Sequence, residues 1–421
     1  MDSPTRSLAD WLASQQTVHS SGIDLTLERV REVALRLALL PPSCRVSTVA
    51  GTNGKGSTVA YLTALLRAAG HAVGTFTSPH LLHYNERIQV DGQMASDAEL
   101  IAAFEQIEAA RAEITLTFFE YNLLAALVVF RTRQVEFAIL EVGLGGRLDA
   151  VNIVDADAAI VCSIGIDHRD WLGDTLEAIG REKAGVFRHD RIAVIADPGM
   201  VAVVEEEARR LGARVLRAQR DYTFAREGEG WRFMMAGSAI GPLPPPSLQG
   251  EVQFANAAAA IAALTSLQPA VNLDAVTVAA AITGVQVPGR FQVIPGPVEW
   301  ILDVAHNEPA AQVLAHNLAA RPVTGRTFLV AGILGDKDID AIARTLAPVT
   351  SEWILCGIDE PRGLAPHDLA RRSLHFATAR LADDIPAGIR LARSLARPGD
   401  RVVVCGSFFA VAPALKALGL Y

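Results

Sequence analysis

The sequence predicts an α/β protein with two domains, each built on a mostly parallel sheet. Three observations carry this reading. The chain has 421 residues, more than one hydrophobic core usually serves. Apolar, β-branched runs alternate with amphipathic helical segments, the pattern of strands joined by helical crossovers. A Pro/Gly cluster near residue 290 then interrupts the alternation, which restarts beyond it.

In chain order, the expected strands of the first domain are Val46–Ala50, Val73–Thr77, Phe137–Val142, Ala158–Ser163 and Ile192–Ala196. Several are apolar on both faces, as strands covered by helices on each side must be. Gly228–Gly250 contains Gly241-Pro242-Leu243-Pro244-Pro245-Pro246 and reads as a loop or small β excursion. A helix is expected from Asn256 to Leu267. Pro288-Gly289-Arg290-Phe291 and Pro295-Gly296-Pro297 punctuate the chain after it, so the domains are predicted as 1–288 and 298–421 with a linker over 289–297. In the second domain Trp300–Val304, Thr327–Ala331, Trp353–Cys356 and Val402–Cys405 read as strands of a Rossmann-like unit.

Composition excludes several function classes. Half of the residues are hydrophobic and 20% are charged, which suits a folded chain and not a disordered one. A net charge of −8 argues against a broad nucleic-acid surface, although a local basic pocket for a nucleotide is compatible with it. Met1–Arg6 has mixed charge and no apolar core of the signal-peptide type comes after it. The apolar stretches around Asn122–Phe130 and Ala255–Leu264 are far short of the roughly 18 residues of a membrane span. Cys44, Cys162, Cys356 and Cys405 form no CxxC pair and read as reduced core or near-core thiols of a cytoplasmic protein.

The strand Val46–Ala50 runs directly into Gly51-Thr52-Asn53-Gly54-Lys55-Gly56-Ser57-Thr58, and an apolar helical pattern comes next (Val59, Leu62, Leu65, Leu66). Strand, glycine-rich turn and helix is the context of a P-loop. Glycines let backbone N–H groups converge on phosphate oxygens, and a helix N-terminus adds favourable potential. Lys55 supplies a mobile positive charge for the β- and γ-phosphates, and Ser57 or Thr58 a hydroxyl for Mg²⁺. The match to G-x-x-x-x-G-K-[ST] is imperfect: Val49 stands at the first glycine, and Gly56 intervenes between Lys55 and Ser57. The first domain is therefore expected to be P-loop NTPase-like and to handle a nucleoside triphosphate.

Three further strand ends carry polar residues, where open α/β sheets bind ligands. They are Ser78-Pro79-His80, Glu141 through Asp149, and Asp167-His168-Arg169-Asp170-Trp171-Leu172-Gly173, with Gly180-Arg181-Glu182-Lys183-Ala184-Gly185 shortly beyond. A carboxylate, a hydroxyl and an imidazole at adjacent strand ends suit a Mg²⁺ that bridges phosphates and a reacting carboxylate. Taken alone, His168 is too soft for a usual Mg²⁺ ligand and Lys183 reads as a surface lysine.

Together these segments, followed by Pro288-Gly289-Arg290-Phe291, Leu302-Asp303-Val304-Ala305-His306-Asn307, Gly335-Asp336-Lys337-Asp338 and Cys405-Gly406-Ser407-Phe408, resemble the folylpolyglutamate synthases, relatives of the Mur ligases. The order of motifs is the family's along nearly the whole chain, and the bifunctional bacterial enzymes that make dihydrofolate and extend folates are most similar. The resemblance implies ATP and two Mg²⁺ sites. Thr52, Asn53, Gly54, Lys55, Gly56 and Ser57 would hold the triphosphate, with Asn256, Arg290 and Asp303 contacting ATP across a domain cleft. Ser78 and Glu141 would bind the first metal. His168 and a carbamylated Lys183 would hold the second. His306 and Ser407 are implied for glutamate. Dihydropteroate would contact Asp24, Leu25, Thr26, Leu27, Thr117, Phe118, Phe119, Glu120, Leu148, Asp149 and Ala150. One departure is visible: Val151 stands where that family commonly has threonine before Asn152.

The implied reaction is ATP-dependent ligation of L-glutamate to dihydropteroate or to reduced folates. A carboxylate is a poor electrophile, and γ-phosphoryl transfer would give an acyl phosphate for the amine to attack. A closing second domain would exclude water from it. The protein is expected to be a cytoplasmic monomer acting on small molecules, without nucleic-acid or membrane partners. Two alternatives remain: a cell-wall amino-acid ligase, although only 50 residues precede the phosphate loop, and a nucleotide switch without ligase activity.

Overall fold

The computed structural model describes residues 6–19, 24–267, 269 and 271–420. The chain forms two compact units, one of residues 1–247 and 254–285, the other of 248–253 and 286–421.

The first unit is organised by an eight-stranded sheet. Its strands are Arg45–Ala50 (β1), Val73–Phe76 (β2), Ile88–Val90 (β3), Gln93–Met94 (β4), Phe137–Glu141 (β5), Ala158–Val161 (β6), Ile192–Ile195 (β7) and Arg214–Arg217 (β8). They lie in the order β4-β3-β2-β5-β1-β6-β7-β8, parallel except for the β2–β3 and β3–β4 pairs. The central strand β1 is buried along nearly its whole length, Ser47 and Thr48 included, as a strand covered on both faces must be. The helix Lys55–Ala68 comes directly after it and buries Val59, Leu62, Leu65 and Leu66 on one face. At about 1.5–3 kcal/mol for each fully buried side chain, that stripe anchors the helix on the sheet. The chain leaves β1 toward β2 on one side and returns to β6 on the other. The loops after β1, β2, β5 and β6 therefore gather at a topological switch point.

Beyond β8 a three-stranded antiparallel sheet forms from Tyr222–Glu227 (β9), Gly230–Met235 (β10) and Ser238–Leu243 (β11); the segment expected as a loop or small β excursion, Gly228–Gly250, supplies β10 and β11, while β9 precedes it and was not anticipated. Trp231 is fully buried there, and its indole donates to Pro244 O at 2.9 Å. Pro242 lies in β11, an outer strand of that sheet and a position that tolerates a missing N–H.

The second unit holds a six-stranded sheet of Gln292–Ile294 (β12), Glu299–Leu302 (β13), Thr327–Ala331 (β14), Glu352–Cys356 (β15), Arg380–Ala382 (β16) and Arg401–Cys405 (β17). The order is β12-β13-β17-β14-β15-β16, with only β12 antiparallel. The residues expected as a linker thus include an edge strand. Their prolines and glycines flank Gln292–Ile294, which pairs with Leu302–Trp300. All the other expected strands are present to within two residues of their expected ends.

No helix among the described residues is long and apolar enough to cross a membrane. The four cysteines are free thiols, Cys44 half-buried and the other three buried.

Candidate active site

The phosphate loop is shaped by two glycines in the left-handed region, Gly51 at φ +152° and Gly54 at φ +86°. A Cβ on Gly51 would lie 3.0 Å from Cys162 Cβ, and one on Gly54 3.0 Å from Asn256 Oδ1, so neither position has room for a side chain. Gly54 caps the helix Lys55–Ala68 without a side-chain acceptor, which leaves the first-turn N–H groups for a ligand. The loop is tied to the exit of β6. Thr52 N donates to Ser163 O (2.8 Å), Asn53 N to Ser163 Oγ (3.0 Å), and the Thr52 hydroxyl exchanges hydrogen bonds with Gly165 N and O (both 3.0 Å). Of the two hydroxyls expected near a metal, Thr58 faces the core against Cys162 Sγ (3.2 Å), and Ser57 is buried in the first turn.

Two lysines converge on one carbonyl. Lys55 Nζ donates to Gly51 O at 3.0 Å and to Thr52 O at 3.2 Å, and Lys183 Nζ donates to Gly51 O at 3.1 Å. Lys183 is 5% exposed and not the surface lysine that its segment alone suggests. The helix Leu176–Ala184 turns it inward, and Gly146 allows the approach, because a Cβ there would meet Lys183 O at 2.9 Å. Burial, followed by the charge of Lys55, pushes the Lys183 ammonium down to about 7.

At the neighbouring strand end, the β1–β5 register sets Glu141 beside Val49, just below the phosphate loop. Glu141 is buried, and its Oε2 accepts from Ser78 N at 3.1 Å. The sequence-predicted pair Ser78 and Glu141 is therefore assembled. Among the described residues no group of three His, Cys, Asp or Glu side chains surrounds a metal position. One carboxylate and one hydroxyl beside a phosphate loop fits Mg²⁺, which keeps waters and takes ligands from phosphate oxygens. His168 lies farther out on an exposed turn at φ +52°, its Nε2 4.0 Å from Asp167 Oδ2.

The three segments expected for dihydropteroate are tied to one another or to the Glu141 loop. Thr117 and Glu120 form a capping box for the helix Phe118–Thr132. Arg29, not anticipated from the sequence, reaches Glu120 Oε1 (3.2 Å), Asp24 Oδ2 (2.9 Å) and Thr26 Oγ1 (2.7 Å), and so clips Asp24–Leu27 to Thr117–Glu120. Leu25 and Leu27 are half-buried. Phe119 lies against Gly143, where a Cβ would come within 2.7 Å of its ring, and against Phe76 with centroids 5.6 Å apart. The Asp149 carboxylate accepts from Gly143 N, Leu144 N and Val151 N (2.8–3.0 Å) and closes the loop after β5. Burial nevertheless pushes its carboxyl up to about 6. Leu148 is half-buried, and Ala150 opens the short helix Ala150–Ile153. Val151 is fully buried and offers the next backbone N–H to Asp149.

In the second unit, the half-buried Asp303 accepts from Phe291 N and Ala305 N (both 2.8 Å), and desolvation raises its carboxyl pKa against the pull of Arg290. The Arg290 guanidinium stands 5.2 Å from the Phe408 ring centroid. His306 Nδ1 lies 2.8 Å from Val304 O. The Ser407 hydroxyl donates to Gly332 O (2.9 Å) and accepts from Ala410 N (3.0 Å), so it caps the final helix. Asn256 is buried in the helix Val252–Thr265 of the first unit.

Comparison with known proteins finds likenesses along nearly the whole chain. The Mur ligase middle domain family model matches residues 49–264, and the Mur ligase glutamate ligase domain matches residues 289–408. The chain is 42% identical over 413 residues to the dihydrofolate synthase/folylpolyglutamate synthase of Escherichia coli, spanning 98% of this chain and 95% of that protein. It is similar to the solved E. coli FolC in complex with DHPP and ADP, with a TM-score of 0.94, 40% identity, and coverage of 100% and 99% of the two chains. A bifunctional folylpolyglutamate synthase/dihydrofolate synthase with Mn, AMPPNP and L-glutamate bound gives a TM-score of 0.92 at 43% identity, covering 99% of each chain.

Proposed function

Because this chain belongs to the dihydrofolate synthase/folylpolyglutamate synthase family of Mur ligases, we propose that it joins L-glutamate to dihydropteroate and to reduced folates at the expense of ATP. The observation that carries the chemistry is the convergence of Lys55 and Lys183 on Gly51 O beside the Ser78–Glu141 pair. The Lys55 ammonium beside this carbonyl attracts a polyanion, and the open first turn of the helix Lys55–Ala68 supplies its N–H donors. Thr52, Asn53, Gly54, Gly56 and Ser57 shape this cradle. Mg²⁺ held by Ser78 and Glu141 would neutralise charge on the transferring phosphoryl group.

The acceptor acid is activated by taking the γ-phosphoryl group on a carboxylate oxygen, with ADP leaving. The glutamate amine attacks the resulting acyl phosphate, and phosphate departs from the tetrahedral adduct with the amine proton passing to solvent or a nearby base. Lys55 accompanies the phosphoryl group. Lys183, whose buried position beside Lys55 disfavours the ammonium form, is suited to react with CO₂; the carbamate would face the second metal with His168. The clipped segments Asp24–Leu27 and Thr117–Glu120, with Leu148–Ala150, hold the pterin acid. In the second unit we carry over Arg290 and Asp303 to nucleotide contact, as with Asn256 in the first, and His306 and Ser407 to glutamate. The chain is read as a cytoplasmic monomer.

The test is phosphate release from ATP with Mg²⁺ and L-glutamate, adding dihydropteroate or tetrahydrofolate separately. Turnover with both is expected. Turnover with tetrahydrofolate alone removes the dihydrofolate synthase half of the reading, and none with either removes all of it.

A further inference from the structure

The proposed chemistry assigns no role to one buried cation, although Glu141 and Glu86 stabilise its charge from a distance. Arg87 ends the short turn Tyr84–Arg87 just before β3, is 8% exposed, and its carbonyl accepts from Thr77 N at 2.9 Å, one residue before Ser78. Its Nε donates to His80 Nδ1 at 2.8 Å. That bond fixes the His80 tautomer with its proton on Nε2 and sets the plane of the guanidinium. The rings of Tyr84 and Phe118 flank the guanidinium carbon at 6.0 and 5.5 Å. Among the described residues the two terminal amino groups of Arg87 donate to nothing. The carboxylate of adjacent Glu86 turns to the backbone instead and accepts from Leu81 N, Leu82 N and His83 N, each at 2.7 Å.

The group that fills an open, planar guanidinium fork best is a carboxylate. The rings on either side suit a flat aromatic body leading to that carboxylate. The position, between Phe118 of the pterin segment and the loop that carries Ser78, matches the reacting end of the acceptor and not the triphosphate, which Lys55 and the phosphate loop serve. We propose that Arg87 binds the carboxylate end of the acceptor acid through its two terminal amino groups, with His80 as the positioning residue that aims the fork. The proposal rests on the pterin-acid reading of the site.

The test is calorimetric titration of the full chain with dihydropteroate and with its carboxamide, which keeps the shape and loses the charge. The wild-type protein is expected to favour the acid by about 10- to 100-fold, the range of a charge-assisted bidentate contact. Arg87→Gln should abolish that preference while leaving carboxamide and ATP affinities within about twofold. Arg87→Lys, which keeps the charge and the alkyl stem but not the fork, should give an intermediate preference, and serves where the Gln variant melts early. An undiminished preference in both variants overturns the proposal. So does an equal loss of acid and carboxamide binding, which marks a structural role, and a loss confined to ATP, which marks a phosphate contact. Wild-type protein that binds ATP but neither pterin compound overturns the acceptor reading itself, and this proposal with it.

Discussion

Arg29 offers the sharpest test of how the acceptor side is built. It clips two segments that lie 91 residues apart in sequence. Its Glu120 partner is 3% exposed at the side chain, whereas Asp24 and Arg29 itself are 28% and 22% exposed. The Asp24 arm is a partly screened pair, worth about 0.2–1 kcal/mol. The Glu120 arm leaves a buried carboxylate behind when broken, for which about 3–5 kcal/mol is the upper range. Glu120 keeps its bond from Thr117 N at 2.6 Å, so part of its charge remains satisfied. Arg29→Met, which preserves the stem, should therefore cost about 2 kcal/mol, or about 4 °C in Tm for a domain of this size. A double-mutant cycle with Glu120→Gln, which retains the capping box, should return a coupling of about 1–2 kcal/mol. With Asp24–Leu27 unclipped, the KM for dihydropteroate should rise about tenfold while that for ATP stays put. A melt within about 1 °C of wild type, together with an unchanged KM, would mean that the clip holds nothing.

Three further outcomes are expected. Lys55→Ala should abolish ligation with the melting temperature preserved; retained turnover removes the phosphate-loop assignment. Gly54→Ala must adopt φ +86° and bring a methyl to 3.0 Å from Asn256 Oδ1, so it should cost about 1–2 kcal/mol in thermal stability and weaken ATP binding measured by titration. Glu205, held mainly by Arg220 and also by Arg217 against the opposing effect of burial, has its carboxyl below the ordinary 4.5. Its folded pKa is depressed, so its contribution is complete above about pH 4.5 and disappears as the pH falls through the folded value. Glu205→Gln should lower Tm at pH 7 and shrink the difference from wild type in acid melts.

The features legible in the sequence are those whose signals are local. The β5, β6 and β14 runs are apolar on both faces because helices cover them, and such runs need no partner to be recognised. The strand-end motifs were legible because a parallel sheet delivers every C-terminal strand end to one edge, so Gly51, Ser78 and Glu141 had to meet. Strands β3, β4, β8, β12 and β16 escaped because they are two to four residues long, at or near sheet edges, and set by pairing more than by composition. Thr117-Phe118-Phe119-Glu120 was read only as a ligand segment, although its T-x-x-E spacing also announces the capping box that the helix makes of it. Arg29 and Arg87 carried no signal at all. Their meaning lies in burial and in partners such as Glu120 and Phe118, far away in sequence, and an isolated arginine reads as solvated surface. Lys183 shows the same limit, since its segment alone does not reveal which face of the helix Leu176–Ala184 is turned inward.

The division of the chain has a consequence for anyone wishing to dissect it. Residues 248–253 belong with the second unit, yet they are translated before residues 254–285, which complete the first. Gly250 lies so close to Asn317 that a Cβ would meet its amide at 2.8 Å. A gene severed at residue 285 therefore yields two fragments that each fail at a seam. One carries the ribbon Leu248–Gln253, whose last two residues already begin the helix Val252–Thr265, without the unit it packs with, and the other lacks the ribbon whose Gly250 meets Asn317 of the helix Glu308–Ala319. On the ribosome the same ribbon must wait for the second unit to emerge. The interleaving thus makes the two halves of the ligase a single hereditary unit, open to exchange between relatives only when both crossings travel together.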